Sequence, residues 1–191
     1  MHSRQLALHG ADGAVARCTV PFPPLAIAGG EGRRPGLEIE ELVAHAMRPR
    51  TVAVLLVRRG GHAVGVFRGD VLLASKVGRR LVHGRSAAGG RSQHRFERRR
   101  ENQARDALRD AADDFATVLA PFAGHLDAVV TGGDRHALAG LAGDARLAPV
   151  LARAEPRVLA LPNPRRAVLE RAPACYRAVT IELEEPGSAD P

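Results

Sequence analysis

The sequence predicts a single α+β or α/β domain, with one mixed β-sheet and helices packed on it. Three observations carry that expectation. Residues 51–78 hold three apolar runs separated by Gly60-Gly61 and Gly69-Asp70, the signature of an antiparallel meander. Residues 94–122 place apolar side chains at 3-and-4 spacing, which makes one long amphipathic helix. Beyond Pro121 the pattern becomes β-α-β-α-β, the alternation that builds parallel strands. At 191 residues, 45% of them apolar, the chain can bury a sizeable core rather than remain disordered.

The elements follow in order. Residues 14–22, AVARCTVPF, suit a strand that stops at Pro21, Pro23 and Pro24. The stretch 28–36, AGGEGRRPG, is turn-rich and marks the expected boundary. It leaves an N-terminal strand-and-loop region over 1–36 within the same domain, a main body over 37–185 and a flexible tail over 186–191. LEIEELVAHAM (37–47) has helical spacing and ends before Pro49. TVAVLLVRR (51–59) is nearly continuous in apolar side chains and suits a strand covered on both faces. HAVGVFRG (62–69) and VLLASKVG (71–78) complete the meander. Residues 79–93 show no period, and such long loops inside compact domains are mostly functional. In the long helix the stripe runs through Phe96, Ala107, Leu108, Ala111, Phe115 and Leu119. DAVVTGG (127–133) is a strand and turn, with Asp134 capping a helix through Leu141. RVLAL (157–161) is a strand, PRRAVLERA (164–172) a short helix, and YRAVTIELE (176–184) a closing strand.

Composition narrows the partners. The formal charge is +7, and Lys76 is the only lysine, so the basic surface is built from arginine. Guanidinium groups fork onto phosphates and stack on bases, which makes nucleic acid the leading partner class. Aromatic residues are only 3%, too few for a base-stacking platform. Cys18 and Cys175 stand alone, so no zinc or redox motif exists and no metal or cofactor is expected. No apolar run reaches membrane-spanning length, and the N-terminus lacks the apolar core of a signal peptide. A soluble, cytoplasmic protein is expected.

One stretch stands apart: HGRSAAGGRSQHRFERRREN, residues 83–102. Gly89 and Gly90 allow close approach to a partner, and Gln93 follows three positions later. Around them lie Arg79, Arg80, Arg85, Arg91, Arg95, Arg98, Arg99 and Arg100, against Glu97. An amide can position a water or a carbonyl but cannot act as a base, so the rest of such a site must come from a partner. Arg95, Arg98 and Arg99 crowd the start of the long helix, where each cation opposes the macrodipole by roughly 0.3–1 kcal/mol. A bound polyanion reverses that sign, because dipole and arginines then act together on phosphates. Candidate contacts to RNA or DNA are Arg85, Arg91, Arg95, Arg98 and Arg99.

Other constellations carry less. His83, His94 and Asp70 suggest a nuclease centre, but their spacing fits no metal motif. VVTGGD (129–134) resembles a phosphate-binding turn, yet lacks the lysine of a Walker loop and the third glycine of a dinucleotide fingerprint. It reads as a tight strand-to-helix connection with an aspartate cap. Asp113 and Asp114, late on the long helix, read as solvated.

The order of loop, glutamine and ladder resembles the catalytic loop of the middle domain of eukaryotic and archaeal class-one release factors. There a GGQ loop runs into a helix through S-x-x-R-F-x-R-x-R, and this chain reads GGRSQHRFERRREN, with Arg95-Phe96, Arg98 and Arg100 in that register. Arg91 and Ser92 separate Gly90 from Gln93, giving G-x-x-Q. That variant resembles the Vms1-like release-factor family in a compact, stand-alone actinobacterial form. The close match covers residues 84–102, and element order agrees over about 51–185. The resemblance implies a fold like that middle domain and peptidyl-tRNA hydrolysis in the large ribosomal subunit, against ribosomal RNA. Gln93 would place a water at the ester carbonyl, Gly89 and Gly90 would give the loop its bend, and proton handling would fall to RNA and water. With no room for a codon-reading domain in 191 residues, codon-independent rescue is expected. A non-catalytic ribosome- or RNA-binding rescue module is the alternative.

Overall fold

The computed structural model of the chain describes residues 4–26, 32, 36–37, 39–58, 60–79 and 93–186; between 93 and 100 it describes the backbone and the Arg98 side chain. In chain order the elements begin with β1 (Gln5–His9), β2 (Val15–Thr19), α1 (Glu40–Met47), β3 (Thr51–Arg58), β4 (Gly61–Arg68) and β5 (Val71–Arg79). There follow α2 (Gln93–Leu119), a 3-10 turn (Ala120–Phe122), β6 (Ala128–Gly133), α3 (Arg135–Leu141) and α4 (Ala148–Leu151). The last are β7 (Ala154–Leu159), α5 (Arg166–Glu170), α6 (Ala172–Arg177) and β8 (Ile181–Glu184). The chain divides into two compact units, Met1–Pro49 with Ala174–Pro191 and Arg50–Pro173.

The second unit is built on a five-stranded sheet in the order β5-β4-β3-β6-β7. β5, β4 and β3 form the expected antiparallel meander, and β6 and β7 continue parallel to β3. This is the predicted mixed sheet. β3 lies at its centre, bonded on both edges, which is why an unbroken apolar run is stable there: Val52 through Leu56 are each no more than 1% exposed. α2 lays Ala111, Phe115 and Leu119 on the sheet against Leu55, Val64 and Val66. Burying Phe115 alone stabilises the packing by roughly 1.5–3 kcal/mol. The helix stops where Pro121 cannot extend it, and the last turn tightens to 3-10.

At the β6–α3 junction the sequence reading holds. Asp134 accepts hydrogen bonds from the His136 and Ala137 backbone N–H groups, at 2.9 and 3.4 Å. Gly133 has φ 103°, and a Cβ there would run into the Val57 carbonyl oxygen, so only glycine can make the turn. This is the tight connection with an aspartate cap.

The first unit holds a three-stranded antiparallel sheet, β1-β2-β8, with Cys18, Val20, Leu25 and Leu42 as its core. Here the structure departs from the sequence reading. Residues 176–184 were expected to close the mixed sheet; instead β8 pairs with β2, where Glu184 takes a bidentate contact from Arg17 at 2.8 and 3.2 Å. The residues before it fold as α6, where the Tyr176 ring meets Phe22 edge-on at 5.4 Å. β1 and α4 were not anticipated. The helix expected over 37–47 begins at Glu40 and packs Leu42 into the first unit.

Candidate functional site

The ladder is carried by α2, which begins at Gln93 itself. Arg95, Arg98 and Arg99 therefore sit on helical backbone in its first two turns, and Arg98 is exposed. No acid occupies the first turn to offset them. Gly89, Gly90, Arg85 and Arg91 lie outside the described residues, as do Arg80 and His83. The segment that contains them leaves the sheet at Arg79, the exposed end of edge strand β5, and returns at Gln93. Asp70 lies in the β4–β5 turn at the opposite end of β5, about 30 Å along the strand from Arg79. Among the described residues no cluster of His, Cys, Asp or Glu can hold a metal ion.

Beside the end of β5 and the middle of α2 the structure places a feature that the sequence reading missed. A groove of about 830 Å³ opens over the ends of β3, β4 and β5, beside α2 and the start of α3. His62 and Lys76 reach into it from β4 and β5, and Asp114 from α2. His62 Nε2 donates to Asp114 Oδ2 at 2.8 Å, and Lys76 Nζ lies 2.7 Å from Asp114 Oδ1. His62 is 7% exposed, stacked edge-on to Phe115 at 5.8 Å. Its ring lies so close over β5 that a Cβ at Gly78 would overlap it. Partial burial pushes the Asp114 carboxyl up, but the hydrogen bonds from Lys76 and His62 outweigh this and hold it below its ordinary value. A charged carboxylate thus clamps α2 to β4 and β5, the strand and helix that carry the ladder segment.

Asp113 behaves as the sequence suggests: it is exposed and pairs with Arg146 at 2.8 Å. Asp114 does not, because its side chain is only 17% exposed. The available signal for the clamp was His62, a polar side chain leading into the apolar run 63–67 of β4, one position after Gly60-Gly61. His136 lines the other side of the groove, where it is exposed.

The comparisons with known proteins bear on the same unit. An archaeal translation termination factor, aRF1, solved by crystallography, superposes with a TM-score of 0.51 at 15% identity. That alignment covers 90% of this chain and 52% of the archaeal one, so the chain spans about half the length of that factor. A second structure, titled an archaeal protein, aligns with a TM-score of 0.45 at 15% identity over 88% of this chain and 52% of its own. No curated protein matches the sequence. The aRF1 likeness establishes a fold shared with a release factor. Residues 50–182, which include the whole mixed sheet, α2 and its ladder, match the family described as the Actinobacteria/chloroflexi VLRF1 release factor, and the chain belongs to that family.

Proposed function

We propose that this protein is a peptidyl-tRNA hydrolase that rescues stalled ribosomes or large subunits without reading a codon. The observation that carries the reading is Gln93: a lone amide at the first residue of α2, after Gly89-Gly90 and before an arginine ladder, in a chain of a release-factor family. In the proposed reaction a water oxygen bonds to the ester carbonyl carbon while the bond from that carbon to the tRNA 3′ oxygen breaks. One water proton finishes on the departing 3′ oxygen. Gln93 orients the water and Gly89 and Gly90 let the loop tip enter. RNA and solvent carry the proton, since an amide cannot. Losing one such positioned group typically costs about 10²–10³ in rate. On this reading Arg85, Arg91, Arg95, Arg98 and Arg99 hold ribosomal RNA or tRNA phosphates, and the protein acts at the large subunit in the cytoplasm with no metal or cofactor.

The two-residue insertion of Arg91 and Ser92 before Gln93 favours one other reading, a module that binds stalled ribosomes without hydrolysis. Release of a labelled nascent chain from stalled large-subunit complexes decides between them. A hydrolase loses release on Gln93→Ala and keeps its affinity; a binding module releases nothing with either protein.

A further inference from the structure

We propose that the RNA contact does not end with the ladder but continues for three more turns along α2, through Asn102, Arg105 and Arg109. This inference rests on the RNA-facing reading of α2 and extends it to residues outside the loop and its flanking arginines. From Arg98 the steps to Asn102, Arg105 and Arg109 are 4, 3 and 4 residues, which at 100° per residue keep all four within about 60° of one another on the helix. All four are exposed. The stripe runs about 17 Å along the axis.

Pairing separates this stripe from an ordinary solvated face. Of the described carboxylates on α2, Asp113 is engaged by Arg146, Asp114 by Lys76 and His62, and Asp106 and Asp110 by further contacts, while Glu101 is exposed beside the stripe and lines the groove. Arg98 and Arg109 have no carboxylate partner among the described residues. Arg105 spends one N–H on the Asn102 side-chain oxygen at 2.9 Å, which fixes the two side chains together and leaves their remaining donors outward. Asp113 and Asp114 are thus neutralised by groups off the helix, and Arg98 and Arg109 stand on one exposed line without such a partner among the described residues.

The chemistry of that line selects its partner. Apart from the Asn102 oxygen that Arg105 engages, it offers N–H donors and positive charge, and it contains no apolar side chain that could anchor a protein hot spot or dip into a lipid layer. An RNA backbone is the ligand that satisfies a row of guanidinium groups without an apolar contact, through charge-assisted contacts to successive phosphates. The row also begins at the helix end where the macrodipole is positive, so dipole and side chains attract the same strand. Such a contact would align a rigid helix along RNA and so set where its first residue, Gln93, is delivered.

The test uses the full chain carrying Gln93→Ala, so that hydrolysis cannot interfere, and measures its binding to large ribosomal subunits bearing peptidyl-tRNA at several salt concentrations. Arg105→Gln with Arg109→Gln is compared with Arg135→Gln with Arg171→Gln, two exposed arginines on and after other helices of the same unit. The stripe pair is expected to weaken binding about tenfold or more at low salt. It should also flatten the plot of log affinity against log salt by about 1.4–1.8, the loss of two phosphate contacts. The control pair should leave that slope near the parent value. Equal effects of the two pairs would overturn the proposal, as would weaker binding with an unchanged salt slope, which means contact with protein. If the parent chain with Gln93 intact binds but releases no peptide, the hydrolase reading fails while the stripe stands; no binding at any salt sinks both.

Discussion

Replacing Asp114 with alanine should be the most destabilising single polar change in the larger unit, and the structure gives its size. The deletion removes a hydrogen bond from His62 and one from Lys76. Lys76 is 53% exposed, so its contact is screened and worth at most about 1 kcal/mol. His62 is nearly buried, and its bond to a charged carboxylate is worth roughly 1.5–3 kcal/mol. Without Asp114 the Nε2–H has no acceptor among the described residues and too little access to water. The expected loss is about 3 kcal/mol, near the low end of what breaking a buried charge pair costs. For a chain of this length that is a fall in Tm of about 9 °C. Urea unfolding checks it: the midpoint should drop with an unchanged slope. Asp113→Ala, one position earlier but exposed and paired with exposed Arg146, should move the midpoint little. Equal effects of the two substitutions would refute the claim that Asp114 clamps α2 to the sheet.

Further consequences can be measured. Because the Asp114 carboxyl is held below its ordinary 3.8, its contribution to stability is complete above that value and is lost as pH falls through the folded value. The acid limb of the wild-type stability curve below about pH 4 should therefore be steeper than that of Asp114→Asn. The Arg146 side chain and backbone N–H hold Asp144 down to about 2, so Arg146→Gln should return its carboxyl toward 3.8 in an NMR titration. An Asp144 value still near 2 would show the cause to lie elsewhere. Gly133→Ala forces a side chain into φ 103° and onto the Val57 carbonyl, and should cost more than about 2 kcal/mol in denaturant unfolding.

Much of the larger unit was legible because its signals are local. The run 52–57 has no polar position to face water, so it had to be a central strand, and β3 is one. Pro121 and the Gly133-Asp134 pair ended and began their elements where steric rules put them. The failures are non-local. QLALH is too short to declare a strand, and β1 exists because β2 pairs with it. YRAVTIELE has strand composition throughout, yet nothing within it says which sheet it joins, and the choice of β2 leaves 172–177 helical. The candidate site divides in the same way. Gln93 and the arginines read as a motif because they are contiguous in sequence. His62 and Asp114 lie 52 positions apart, and no pattern in either segment announces that they meet.

Gln93 either makes this chain a catalyst or leaves it a binding module. Single-turnover release of a labelled nascent chain from stalled large subunits, with affinity measured on the same complexes, tests it most directly. A catalytic Gln93 gives release by the wild type, a loss of about a hundredfold or more on Gln93→Ala, and unchanged affinity. Binding without release by the wild type, or release that survives the substitution, would contradict it.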